Sequence, residues 1–252
     1  MNDLLVVDKV SKSFKELKAL DEISISIKPG LIYGIIGPNG SGKTTLFNII
    51  TGVIKPDSGR VIFDGQRIDT LEPNIIYNLG ITRSFQLPTL WLNMNVAENL
   101  MLPPKQQAGE TIRKAFFKKA WKTQDIQLSD FVWQTLETLK LKHVALNKSS
   151  EISGGQMKLI ELGRTMMSSP RLILLDEPTA GVNPALALEI FKIIKETNQV
   201  VGLTYVIIEH RYDILFANAD YIYLLNEGKV VLEGPPEKVI NDPVLAEVYL
   251  GA

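Results

Sequence analysis

The chain has 252 residues, 45% hydrophobic and 22% charged, which fits one sizeable soluble α/β domain or a core with an inserted subdomain. With a net charge of −1, nothing in the bulk electrostatics points to a polyanion, so nucleic acid is not an expected partner. The absence of cysteine excludes disulfides, thiolate metal sites and a cysteine nucleophile.

Met1 to Asp8 holds no basic stretch followed by a long apolar core, so no signal peptide is read there. Apolar runs such as Leu172–Leu175 and Tyr205–Ile208 are strand-length, far short of the ~20 residues of a membrane helix. A role in a membrane process is therefore expected from the cytoplasmic face, as a peripheral bound subunit.

In chain order, Leu4–Val7 predicts a first strand, and Ile23, Ile25 and Ile27 alternate with Ser24 and Ser26 as in a half-buried strand. Pro29-Gly30 marks a turn, and Leu31–Ile36 is a continuous apolar strand of the type buried on both faces in a parallel sheet. A Gly-rich loop leads to a helix with Leu46, Ile49 and Ile50 on one face, ending at Gly52. Arg60–Phe63 before Asp64-Gly65 predicts a strand and tight turn.

Between about Pro88 and Glu151 strand signals give way to helix formers, interrupted by Pro103-Pro104. The α/β pattern then resumes: a helix from Gly155, a strand at Leu172–Leu175, a helix from Pro184 and a strand at Thr204–Ile208. A hairpin, Tyr221–Leu225 and Lys229–Leu232, precedes a short helical tail. A P-loop core, residues 1–87 and 156–252, interrupted by a helical lobe at about 88–155, accounts for this order.

Gly37-Pro38-Asn39-Gly40-Ser41-Gly42-Lys43-Thr44 is a phosphate-binding P-loop in the required context, after an apolar strand and before a helix. Its glycines let backbone N–H groups point at a phosphate, and the helix N-terminus adds a positive field. Lys43 reaches the β- and γ-phosphates in such a loop, and the Thr44 hydroxyl ligates Mg²⁺. Leu172 to Leu175 end in Asp176 and Glu177, at a strand end where α/β sheets place ligand chemistry. Asp176 suits Mg²⁺, and Glu177 suits the base that polarises an attacking water.

Ile152-Ser153-Gly154-Gly155-Gln156 resembles the signature of the ABC (ATP-binding cassette) family, usually written Leu-Ser-Gly-Gly-Gln. Physically it is a serine and two glycines opening a helix, an anion site with no lysine of its own. The resemblance covers essentially the whole chain. It implies a P-loop NTPase (RecA-like) core with an N-terminal antiparallel β subdomain and an inserted α-helical subdomain. It also implies ATP hydrolysis with Mg²⁺, in a dimer that closes Ser153, Gly154, Gly155 and Gln156 of one cassette on the ATP held by the other.

The family pattern adds Thr45 to the nucleotide contacts and makes Gln86, in Arg83-Ser84-Phe85-Gln86, the glutamine that touches Mg²⁺ and the attacking water. His210 corresponds to the switch histidine on the γ-phosphate, and Phe14 to the aromatic that stacks on adenine. A core aromatic is the competing reading for Phe14, and His143 is read as structural. Ala180-Gly181-Val182-Asn183-Pro184 corresponds to the loop that crosses the dimer interface, with Asn183 where Asp is common.

The single cassette, with no coiled-coil insert, second cassette or membrane span, is unlike ABC proteins of DNA repair, translation or fused exporters. Leu79–Gln86, Ala180–Pro184, the insert after Pro103-Pro104 and the tail from Gly234 to Gly251 resemble the ATP-binding subunits of branched-chain amino acid importers. The lipopolysaccharide-export ATPase is the alternative. Expected partners are a second ATPase subunit, identical or different, and integral membrane permeases. Leu87, Leu90, Trp91 and Leu92 are read either as a seat for the permease or as lobe core. The basic, aromatic-rich segment 112–121 is read as an amphipathic lobe helix, ahead of a membrane- or permease-facing surface.

Overall fold

A computed structural model describes residues 3–84, 90–105 and 118–250. The chain forms two compact units, one of Met1–Arg83 with Arg171–Ala252 and one of Ser84–Pro170.

The first unit opens with β1 (Leu5–Phe14) and β2 (Leu17–Ile27), followed by β3 (Ile32–Ile36) and α1 (Lys43–Ile50). Next come β4 (Ser58–Phe63), β5 (Gln66–Arg67), α2 (Pro73–Leu79) and β6 (Ile81–Arg83). After the second unit the chain returns as β7 (Leu172–Asp176). In the second unit α3 is Val96–Met101, α4 is Lys118–Thr138 and α5 is Gly154–Met167. The remainder is α6 (Pro184–Val201), β8 (Thr204–Ile208), α7 (Tyr212–Asn218), β9 (Tyr221–Asn226), β10 (Lys229–Gly234), α8 (Pro236–Ile240) and α9 (Pro243–Leu250).

One sheet is antiparallel, in the order β2-β1-β4-β5. Its register follows the alternation of the sequence. Leu5 pairs with Ile27 and Phe63, and Val7 with Ile25 and Val61, so each buried rung faces the same core. The other sheet runs β10-β9-β3-β8-β7-β6. Among the described residues every pairing in it is parallel except that of the edge strand β10 with β9. All residues of β3, β7 and β8 are buried, as continuous apolar runs require when helices cover both faces of a sheet. Because β3, β8 and β7 are parallel neighbours, their carboxyl ends share one edge, where α/β sheets gather ligand chemistry.

In the second unit α3, α4 and α5 pack on one another. Gly163 of α5 allows this approach: a Cβ there would lie 2.6 Å from Leu139 and 3.0 Å from Leu100. The expected lobe, about 88–155, falls within this unit, and α5 extends the packed region to Met167 because Leu159, Ile160 and Leu162 bury their side chains. The start of α3 is fixed by a reciprocal cap, in which Glu98 N–H donates to Asn95 Oδ1 at 2.8 Å and Asn95 N–H to Glu98 Oε2 at 2.9 Å.

One turn further on, the buried amide of Asn99 donates to the carbonyls of Trp91 (3.0 Å) and Asn95 (3.1 Å) and to Ser149 Oγ (2.9 Å). Asn99 Oδ1 accepts the Trp91 N–H at 2.9 Å. One side chain thus sets the path of residues 91–95. Asn99→Leu, similar in size but unable to bond, should cost roughly 2–3 kcal/mol through stranded partners. The expected observation is a lower urea midpoint for the full chain, with faster amide exchange across 91–95.

Candidate functional site

The loop from β3 into α1 folds tightly onto the rest of its unit. Gly37 has φ 148°, and a Cβ on it would lie 2.0 Å from the Leu225 carbonyl oxygen. Gly42 has φ 100°, and its Cβ would lie 2.5 Å from the Ala19 carbonyl oxygen. Neither position accepts a side chain, so the loop's backbone packs directly against β9 and β2. Lys43, buried at the first position of α1, donates to the carbonyls of Gly37 (2.8 Å) and Pro38 (2.9 Å), and more weakly to Ser41 Oγ (3.4 Å). Burial pushes the Lys43 ammonium below its ordinary pKa, opposed by the negative fields of Glu177 and Asp176. A partly desolvated cation inside a ring of backbone at a helix N-terminus suits a phosphate group. Ser41 is buried and Pro38 and Thr45 are half-buried, while Asn39, Gly40 and Thr44 are exposed beside it.

Asp176 closes β7, and Glu177 follows it with φ 52°, a left-handed conformation uncommon for a non-glycine residue. The conformation is held from two sides. Glu177 N–H donates to the Ile208 carbonyl at 2.9 Å, and Glu209 grips the turn just beyond. Glu209 Oε1 accepts from Thr179 N–H (2.8 Å) and Thr179 Oγ1 (2.6 Å). Its other oxygen accepts from His210 N–H (3.0 Å) and, less closely, Arg211 N–H (3.3 Å). This one carboxylate, 2% exposed, joins the turn after β7 to the turn after β8. The result brings the two expected catalytic side chains together: His210 Nε2 lies 3.1 Å from Glu177 Oε1. A carboxylate only accepts, so Nε2 carries the hydrogen in this contact whenever Glu177 is ionised. The role of Glu209 was not legible in the sequence, where it stood only as the neighbour of His210.

Asp176 is 1% exposed, and its Oδ2 accepts from Arg83 Nη2 at 2.7 Å. Thr44, next to Lys43 in α1, offers a hydroxyl oxygen, and Asp176 at the end of β7 offers carboxylate oxygens, so both expected metal contacts among the described residues are oxygen donors. That set fits Mg²⁺, which takes one or two protein oxygens and completes its shell with phosphate oxygens and water. Gln86, the third expected metal contact, lies outside the described residues, as do Phe85 and Leu87.

Ser153 caps α5, and Gln156 returns the cap: Ser153 N–H donates to Gln156 Oε1 at 2.9 Å and Gln156 N–H to Ser153 Oγ at 3.3 Å. Ser153 and Gly154 are exposed, Gly155 and Gln156 half-buried, and nothing lies within 4 Å of a Cβ built on Gly154. In the first unit Phe14 is 43% exposed at the end of β1, with Lys12 Nζ 5.8 Å from its ring centroid. The core alternative for Phe14 is thereby set aside. Asn183 accepts from Leu186 N–H at 2.9 Å and caps α6, with Pro184 in the first helical position. Asn and Asp cap helices about equally well, so the departure from Asp leaves this helix start intact. His143 sits exposed on a short 3₁₀ turn, Lys142–Val144.

A glycine-rich loop around a buried lysine, beside a strand ending in two carboxylates on a parallel sheet, defines a P-loop nucleotide hydrolase. Comparison with known proteins narrows the class. Residues 20–180 match the ABC transporter family. The chain is 42% identical over 253 residues to the probable branched-chain amino acid transport ATP-binding protein LivG of Methanocaldococcus jannaschii, covering 99% of this chain and 98% of that one. It is 32% identical over 249 residues to the high-affinity branched-chain amino acid transport ATP-binding protein LivG of Escherichia coli K12, covering 98% of each. Among solved structures, the ADP conformation of an ATP-binding cassette of an ABC transporter superposes with a TM-score of 0.85, at 40% identity and full coverage of both chains. A dimeric cassette in a post-hydrolysis state with ADP and Pi gives a TM-score of 0.75 at 25% identity, over 92% of this chain and 98% of that one. The chain belongs to the ABC transporter family, as one of its ATP-hydrolysing cassettes.

The Glu209 bridge generates a test. Glu209→Gln keeps the shape but turns an amide NH₂ toward donors, so the His210 and Arg211 N–H groups lose their acceptor. Phosphate release should slow about tenfold or more through misplacement of His210 and Glu177. ATP affinity, measured by calorimetry on the same protein, should stay within about threefold, because the loop around Lys43 does not use Glu209.

Proposed function

We propose that this chain is the ATP-binding subunit of a branched-chain amino acid importer, working as one half of an ATP-sandwich dimer on a membrane permease. The contact of His210 with Glu177, on the edge that also carries Lys43 and Asp176, is the observation that carries the mechanism. Full-length likeness to LivG proteins of an archaeon and a bacterium supports amino-acid import over the lipid-export alternative. The partner cassette is identical or a second, different one.

In this reading Lys43 and the loop from Gly37 to Gly42 hold the β- and γ-phosphates, with Thr45 beside them. Phe14 lies against adenine. Thr44, Asp176 and Gln86 would hold Mg²⁺, which would draw charge from the phosphate oxygens. Glu177 accepts a hydrogen bond from the water and takes its proton as the water oxygen attacks the γ-phosphorus. The bond to the ADP oxygen then breaks, and the γ-phosphoryl leaves as phosphate. His210 holds Glu177 through its Nε2 contact and serves as the switch histidine on the γ-phosphate. Ser153 to Gln156 of the opposing cassette close the site, since their helix start is exposed and lacks a cation of its own.

Among the described residues no helix is long and apolar enough to cross a membrane, which suits peripheral attachment at the cytoplasmic face through a permease. Trp91 and Leu92 are 63% and 52% exposed, whereas Leu90 is buried. Exposure favours the docking role for Trp91 and Leu92 and leaves Leu90 to the lobe core. The Asn99 bonds hold the docking loop in place. Segment 112–117 lies outside the described residues.

Glu177→Gln should lower turnover about 100-fold or more by removing the acceptor for the proton. ATP still binds and the closed dimer accumulates by mass action. Size-exclusion chromatography with ATP should show a dimer for the variant and mostly monomer for the wild type. Near-normal turnover in the variant would remove Glu177 from the role of base. Trp91→Ala should weaken permease co-purification about tenfold or more, the scale of an aromatic anchor. Undiminished co-purification would return Trp91 to a surface without a partner.

A further inference from the structure

Arg83 is the last residue of β6 and the last of the first unit before the chain leaves it. Its side chain is only 11% exposed, unusual for a charged residue. Two of its nitrogens are spoken for: Nη2 donates to Asp176 Oδ2 at 2.7 Å, and Nη1 to Asn48 Oδ1 at 2.6 Å. Its carbon centre stacks 5.4 Å from the centroid of the Phe47 ring. Phe47 and Asn48 belong to α1, the helix that starts at Lys43. One planar cation is thus anchored to the phosphate-loop helix on one side and grips the carboxylate at the end of β7 on the other.

We propose that Arg83 is a positioning residue for the divalent metal. By holding Oδ2, it fixes the rotation of the Asp176 carboxylate and supplies the opposite charge that a buried carboxylate needs. The geometry that Asp176 offers to Mg²⁺ is therefore set by α1 and β6 before metal binds. Arginine suits the task because its rigid fork reaches Asn48 and Asp176 at once. Lysine keeps the charge but offers a single flexible point. A positive charge beside a cation site also repels the metal, and the two effects predict opposite results when Arg83 is removed. The positioning effect dominates here, because the guanidinium is tied down by Asn48 and Phe47 and one oxygen of Asp176 is already committed to it. Partners in the outer shell of a metal commonly set affinity by about 10- to 100-fold.

This inference rests on Asp176 serving the metal, as proposed above, and one experiment separates the two. Mn²⁺ binding to the full chain with saturating ADP is followed by electron paramagnetic resonance. Asp176→Asn should weaken Mn²⁺ about tenfold or more, and an unchanged affinity takes down the metal reading and this inference together. Arg83→Met should weaken Mn²⁺ by a similar factor, with ADP affinity in EDTA within about threefold of wild type. Arg83→Lys should recover part of the loss. The double variant Arg83→Met with Asp176→Asn should be no worse than Asp176→Asn alone, since both act through one carboxylate. Should Arg83→Met lack a cooperative melt, Asn48→Ala carries the test: it frees one arm of the guanidinium and should weaken Mn²⁺ measurably. Mn²⁺ binding at or above wild-type strength in folded Arg83→Met, or in Asn48→Ala where that variant carries the test, overturns the inference while leaving Asp176 as the metal carboxylate.

Discussion

Parallel pairing of β3, β8 and β7 is the constraint from which the site follows. In parallel strands every carboxyl end faces the same way, so the phosphate loop, the Glu209-His210 turn and the Asp176-Glu177 turn emerge side by side. β8 is the middle strand. What leaves its end can touch the chain leaving either neighbour, and Glu209 and His210 use that position to reach Thr179 and Glu177. The abrupt end of each apolar run keeps the register from slipping, because a slip would draw the polar residues at the strand ends into the sheet and away from the site.

Around this edge charge is placed sparingly and anchored heavily. Lys43 is bound by backbone, Asp176 by Arg83, and Glu209 by four donors from two turns. Each buried charge thus has partners that hold its position before any nucleotide arrives, which is how electrostatic catalysis avoids reorganisation during the reaction. Glu177 is the exception in its backbone. Its left-handed φ stores strain at the residue read as the base, and the bond to Ile208 with the Glu209 clamp keeps it there.

Much of this was legible in the sequence because it is local. The P-loop, the apolar run into Asp176-Glu177 and the Ser153 helix start are contiguous patterns whose physics is complete within a few residues. The alternation of Ile23, Ile25 and Ile27 likewise appeared as buried rungs of β2. What stayed hidden depends on contacts between distant positions. Arg83 and Asp176 are 93 residues apart, and nothing in Arg83-Ser84 announces an arginine side chain turned in toward a carboxylate. Glu209 is an acid after an apolar run, indistinguishable by pattern from a solvated strand end. α2 and β6 are too short to show a period, and α5 belongs to the lobe through packing that its own sequence shares with any amphipathic helix. Phe14 and Trp91 had ambiguous surroundings until exposure placed both at the surface.

The crowding at Gly37 bears on how this protein tolerates change. Phosphate loops are usually thought of as spending glycine on ligand access, yet a methyl group here would collide with the main chain of β9 at Leu225, 2.0 Å away. The glycine here answers to the architecture. Loss of Gly37 would surface first as a shortage of folded protein in the cell, cleared by proteolysis, and only secondarily as a defect in ATP turnover. A population carrying such a variant would look like a null for abundance, while a change at exposed Thr44, a few residues along, meets no such crowding and would leave the amount of folded protein unchanged.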